Sequence, residues 1–224
     1  MRYRFIVASA AASVLACVAT GAQDPPAWPD TFQVRVQALA LIQTLNADVL
    51  GSRSATTALE RWCRDHKLAD RPAIVAALMR DVKRPATSEQ RQRLQVTEDD
   101  TVAFRHVQLR CGDRVLSEAD NWYVPARLTA EMNRVLETTD TPFGRAVQSL
   151  EPYRSTFAAR LLWSPLPDGW EQASTKLPAS TGRALAIPAE LFEHRAILYT
   201  RDHLAFSEVD EIYQRQILAF PPRQ

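Results

Sequence analysis

Val102-Ala103-Phe104-Arg105-His106-Val107-Gln108-Leu109-Arg110-Cys111-Gly112-Asp113-Arg114-Val115-Leu116 is the stretch that decides the fold. Its apolar residues Val102, Phe104, Val107 and Leu109 lead into Cys111-Gly112-Asp113, and Val115, Leu116, Trp122, Tyr123 and Val124 follow before Pro125. Near-alternation on both sides of a Gly-Asp pair predicts a hairpin. Thr156 to Trp163 and Ala196 to Thr200 read as further strands, and Arg201-Asp202 turns the chain into Leu204 to Tyr213.

Upstream the pattern is helical. Thr31 to Leu50 repeats Val34, Leu39, Leu41, Ile42, Leu45 and Val49 and stops near Gly51. Ser54 is placed to cap a second helix running to about Lys67. Arg71 to Lys83 mixes both periods and stays open, whereas the polar run Arg84 to Asp100 reads as a loop or flap. Thr129 caps a helix with Met132, Val135 and Leu136, and Thr141-Pro142-Phe143-Gly144 opens another. Leu166 to Pro188 looks like an inserted loop. Hairpins with helices gathered before and between them imply an α+β domain, an antiparallel sheet backed by helices.

The chain has 224 residues, 46% hydrophobic and 24% charged, which suits one globular domain without a linker. Arg2 and Arg4 followed by the uncharged run Phe5 to Ala19 read as a signal sequence, with Ala22 at the cleavage position. The expected division is residues 1–22 as signal peptide and 23–224 as a single domain, in the periplasm or secreted, with no transmembrane segment after processing. A rival reading takes Val14-Leu15-Ala16-Cys17 as a lipobox and Cys17 as the anchor. Without Arg2 and Arg4, 25 basic side chains face 26 acidic ones, so no nucleic-acid partner is implied. Cys63 and Cys111 would remain as one possible pair, bonded or free.

Familiar catalytic constellations are absent: there is no phosphate loop, no Cys-x-x-Cys or His-x-x-x-His zinc pair and no Gly-x-Ser-x-Gly elbow. His66, His106, His194 and His203 stand singly and read as solvated. Arg105 and Glu208 differ, because each falls inside an apolar strand where a charge is costly unless compensated. The plainer account of the two is an ion pair, or edge residues facing water. Asp120 to Tyr123 could line a polar pocket but read as packing, and Tyr153-Arg154 could add a second carboxylate clamp but reads as an exposed arginine after a helix end, ranked below Arg105.

Arg105-His106-Val107-Gln108-Leu109, Cys111-Gly112-Asp113, Val124-Pro125, Thr141-Pro142-Phe143-Gly144-Arg145 and Phe206-Ser207-Glu208 are ordered and spaced as in the chorismate pyruvate-lyases, which this chain resembles. Ser54-Ala55-Thr56 adds a Ser-x-Thr element, so the resemblance runs from about residue 45 to about residue 215. It implies a six-stranded antiparallel sheet with helices on one side, an internal pocket for a small aromatic acid, and loss of pyruvate from chorismate to leave 4-hydroxybenzoate. No metal and no organic cofactor would be needed. Carried over by position, Arg105 would bind the ring carboxylate with backbone amides at Ala55 and Phe143, and Glu208 would protonate the departing ether oxygen. Three readings stand open: such a lyase, a non-catalytic periplasmic binding protein for a small aromatic acid, and a structural envelope protein. A monomer is expected.

N-terminal sequencing of protein from its native host should begin at Gln23. A lipid-modified Cys17 would establish the anchored form, and an intact Met1 would remove the export reading.

Overall fold

The computed structural model describes residues 27–223, so the signal, lipobox and cleavage readings lie outside the described residues. Helix α1 spans Phe32–Leu50, and Thr31 caps it by accepting a hydrogen bond from the Val34 amide. Its buried residues Val34, Ala38, Ile42, Leu45 and Val49 recur at helical spacing and form one stripe. Helix α2, Ala55–Asp65, buries Ala55, Ala58, Leu59, Trp62 and Cys63 against that stripe and the sheet. Each fully buried aliphatic side chain here contributes about 1.5–3 kcal/mol by leaving water.

Six strands follow: β1 Ile74–Leu78, β2 Ala103–Cys111, β3 Arg114–Tyr123, β4 Tyr153–Leu161, β5 Glu190–Tyr199 and β6 Ala205–Gln214. They form one sheet in the order β1-β2-β3-β6-β5-β4, and every neighbouring pair is antiparallel. The α+β class and the six-stranded antiparallel sheet are therefore as expected. The β2–β3 hairpin turns at Gly112, whose φ of 56° lies in the left-handed region that glycine adopts without strain. Helices α4 (Ala130–Thr138) and the short α5 (Phe143–Ala146) pack with Tyr123 and Leu198, so they share the helical face with α1 and α2.

Two readings change. Arg71 to Lys83, left open above, contains β1, whose Ala76 pairs with Leu109. Arg84 to Asp100 is not all loop, because Ser88–Leu94 forms helix α3. A capping box starts it, with the Thr87 hydroxyl accepting from the Gln90 amide and the Gln90 side chain accepting from the Thr87 amide. The helix buries Leu94 with Trp122 and Val124, which places it on the opposite face of the sheet from α1 and α2. Helices thus lie on both sides, where the resemblance implied one. Residues 164–189 do form a loop without a helix or strand, tied to α1 where Arg35 and Thr181 both donate to Asp30, at 2.6 and 2.7 Å.

Cys63 and Cys111 form a disulfide across 48 residues, joining the last turn of α2 to the end of β2. Replacing both with alanine should lower the unfolding free energy by roughly 2–4 kcal/mol, since the open chain regains loop entropy when unfolded. The shift of the urea midpoint measures this, and an unmoved midpoint would leave α2 held by packing alone.

Candidate functional site

The start of α2 and the start of α5 meet above the helical face of the sheet. Ser54 occupies the N-cap of α2 without making a side-chain cap bond, which leaves the first-turn amides of that helix uncapped by it. Gly144 permits the approach, because a Cβ there would lie 2.7 Å from the Ser54 hydroxyl. Beneath them is a small chamber of about 50 Å³, lined by Ala55, Asn121, Phe143, Arg154, Val209 and Glu211 among others. A mouth of about 430 Å³ adjoins it and shares Arg53, Ser54, Thr56, Gly144 and Pro152 with it.

Arg154 and Glu211 are the inner charges of this chamber, whose lining also includes Arg53; of the two, the sequence offered Arg154 only as a lesser carboxylate clamp and did not single out Glu211. Arg154, read above as exposed, is buried: its Nη2 lies 2.7 Å from Glu211 Oε2, with side-chain exposures of 3% and 7%. Tyr213 donates to the same Oε2 at 3.1 Å. Burial works against the Arg154 charge, but Glu211 and then Tyr213 outweigh it and hold the guanidinium above its ordinary range. Burial also pushes the Tyr213 phenol well up.

His194 is a second correction, since it is fully buried and not solvated. Its Nε2 lies 2.6 Å from Asn46 Oδ1, while Nδ1 has no partner among the described residues. Burial brings it down to about 4, so the ring is neutral near pH 7 and donates from Nε2.

Arg105 lines a different cavity. Beyond the end of β1, the first residues of β2 bound a space of about 530 Å³ whose walls include Leu78, Phe104, Tyr123 and Leu136. Arg105 is 3% exposed, and its Nη2 donates to the carbonyls of Thr141 at 2.9 Å and Thr139 at 3.5 Å. Its Nε and Nη1 have no partner, and no carboxylate pairs with it among the described residues. Burial therefore pulls the guanidinium down to about 10.

Glu208 is brought to neither cavity. Asn121 stands opposite Arg105 and Val209, so those three share the helical face, whereas Glu208 stands opposite Trp122 on the other. There Arg93 of α3 grips it bidentately, through Nε and Nη2 at 2.8 Å each, and the same guanidinium lies 4.9 Å from the Phe157 ring. The Arg105–Glu208 ion pair considered from the sequence is not formed. Ala55 and Phe143 are brought together, but apart from Arg105 and from Glu208.

The outer face also carries a polar groove of about 290 Å³. In it the Asp120 carboxylate accepts from Arg84 and meets His106 Nδ1 at 2.6 Å. Asp210, directly opposite Asp120, is pushed up to about 6, mainly by burial, with Arg195 opposing and Glu208 and Asp120 adding to the rise. Among the described residues, no group of three or more His, Cys, Asp or Glu side chains is placed to hold a metal ion, and no helix is long and apolar enough to cross a membrane.

Among the described residues, the molecule is an α+β protein with one antiparallel sheet, a chamber and its mouth beside the helical face, a separate cavity at the β2 edge and a polar groove on the outer face. The chain is 50% identical over 218 residues to the uncharacterized protein y4mC of Sinorhizobium fredii, covering 97% of this chain and 92% of that one, and it belongs to the same family. No protein-family model matches it. Among solved structures, it is similar to the effector domain of PhnF from Mycobacterium smegmatis, with 16% identity, coverage of 74% and 91%, and a TM-score of 0.44. Full-length PhnF gives 16% identity, coverage of 78% and 70%, and a TM-score of 0.46. A GntR-family transcriptional regulator from Enterococcus faecalis gives 12% identity, coverage of 63% and 94%, and a TM-score of 0.38. Likeness at this level does not extend to function.

Asp210 supplies a test of the outer face. Its folded-state value lies above that of a free carboxyl, so its ionised form burdens the native state, fully above the folded value and not at all below the unfolded one. Asp210→Asn should therefore raise the melting temperature at about pH 8 and leave it unchanged at about pH 3. A gain of equal size at both would show that Asp210 does not titrate in that window.

Proposed function

We propose that this protein is an exported binding protein for a small aromatic carboxylate, held at Arg105 in the cavity beyond β1. One observation supports the reading above others: a guanidinium that is 3% exposed, has two unpaired nitrogens and borders a cavity. An uncompensated buried cation is unfavourable, and a carboxylate entering the cavity would supply the missing partner. Phe104, Tyr123, Leu78 and Leu136 give the cavity an apolar wall, two of them aromatic, against which a ring could pack. The rim adds Arg80 and Lys83 against Glu137, while Arg84 spends its charge on Asp120. Export rests on the reading of residues 1–22.

The lyase reading has less support. It needs a proton donor beside the bound acid, and the carboxyl assigned that role is tied to Arg93 across the sheet. An ion-paired carboxylate accepts hydrogen bonds and does not donate them. Glu211 does face a chamber on the helical side, yet it is paired with Arg154 and lies outside the Arg105 cavity.

Titration calorimetry with 4-hydroxybenzoate tests the proposal. Wild-type protein should bind, and Arg105→Met should weaken binding by roughly tenfold to a hundredfold, the worth of a charge-assisted buried contact, without loss of fold. Equal affinity in the variant would return Arg105 to a structural role. With chorismate, pyruvate should appear no faster than in buffer; a faster release that Glu208→Gln abolishes would restore the lyase.

A further inference from the structure

The chamber under α2 is electrically unlike the Arg105 cavity, and the two share no lining residue. Chamber and mouth together present Arg53, Arg145 and Arg154 against Glu60, Glu151 and Glu211, three charges of each sign. A ligand with net charge gains little Coulomb energy by entering such a space, whereas a ligand with both signs can gain at two points.

Its inner end is incompletely satisfied. The Arg154–Glu211 contact of 2.7 Å is ionic without an aligned hydrogen bond, since Arg154 Nη2 has no hydrogen-bond partner among the described residues. Arg154 Nε reaches only the Thr156 hydroxyl, at 3.3 Å. On the other side, Tyr213 and Arg154 both address Oε2 of Glu211, so Oε1 is taken by neither. Buried ion pairs repay their desolvation only when further hydrogen bonds complete both partners. Asn121, itself 3% exposed, lines the same wall with donor and acceptor atoms. The uncapped first turn of the 11-residue α2 adds amide donors and the positive end of the helix dipole.

We propose that chamber and mouth form a second ligand site, for a small zwitterion of the α-amino-acid type. Its carboxylate is received by Arg154 and the first-turn amides of α2, and its ammonium by Glu211. Its side chain points outward into the mouth, where about 430 Å³ is available against about 50 Å³ within. An uncharged polar molecule would leave the opposed charges facing each other; a simple anion or cation would answer one of them and strand the other.

Titration of the mature protein with the standard amino acids tests this. At least one should bind saturably, and its N-acetyl and its carboxamide derivatives should each bind at least about tenfold more weakly, because each loses one charge. Arg154→Gln combined with Glu211→Gln removes both charges and strands neither, so this variant should fold and lose amino-acid binding while keeping 4-hydroxybenzoate affinity. Should it fail to fold, the two derivatives decide the matter on wild-type protein. Absence of binding by any amino acid, equal affinity for the capped derivatives, or retained binding in the double variant would each overturn the site. So would competition between 4-hydroxybenzoate and the bound amino acid, which would make the chamber the anion site instead.

Discussion

Asn121 stands opposite Arg105 on one side and Val209 on the other, and this register of β2, β3 and β6 determines what every polar residue of the sheet can do. Because successive side chains on a strand point to opposite faces, Val209 on the helical face sends Glu208 and Asp210 outward and keeps Glu211 inward. A slip of one residue in β6 would exchange them. The apolar partners resist such a slip: Val209 and Tyr213 are buried against α1 and α2, and reversing them would expose both rows. Hydrophobic packing therefore assigns the carboxylates to their faces, and electrostatics then acts on groups already placed.

On those faces, burial is resolved in three different ways. Glu208 receives a bidentate guanidinium from α3, so the outer charge is matched within the protein. Arg154 and Glu211 neutralise each other but leave hydrogen-bonding capacity unspent. Arg105 has two carbonyl oxygens and no counter-charge. Carbonyl dipoles can satisfy donors, yet they do not offset a whole charge in a low-dielectric setting, which is why the guanidinium is held down to about 10. The cost of that arrangement is what marks the cavity beside it.

Much of this was legible in the sequence, and the gaps have physical causes. The period of Val34 to Val49 and the Gly112-Asp113 turn located α1 and the central hairpin, because each rests on local geometry. Helix α3 was missed since Ser88-Glu89-Gln90-Arg91-Gln92-Arg93-Leu94 offers one apolar residue; its signal was the capping box of Thr87 and Gln90. The burial of Arg105 was legible because a lone charge among apolar neighbours is a one-dimensional feature. The helical-face role of Glu211 was not, because Glu208, Asp210 and Glu211 follow one another and only pairing with β3 tells them apart. Arg154 and His194 were misread for the same reason: β4 and β5 acquire their burial from α1 and from each other, through contacts far apart in the chain.

The segment that carries α3 touches both the outer face of the sheet and the rim of the Arg105 cavity. Arg93 leaves α3 to hold Glu208, while the Trp122 indole donates to the Arg84 carbonyl at 3.0 Å and Arg84 reaches Asp120. Arg84 and its neighbours Lys83 and Pro85 also wall the Arg105 cavity. The outer-face ion pairs and the inner cation are therefore joined through one short segment, residues 83–94, that crosses from the outer face to the cavity rim. Arg93 and Trp122 hold that segment from the outer face, so the rim residues Lys83, Arg84 and Pro85 hang from contacts made on the other side of the sheet. Glu208, which the register places on the opposite face of the sheet from Arg105, thus anchors through Arg93 the helix that follows the rim of the Arg105 cavity.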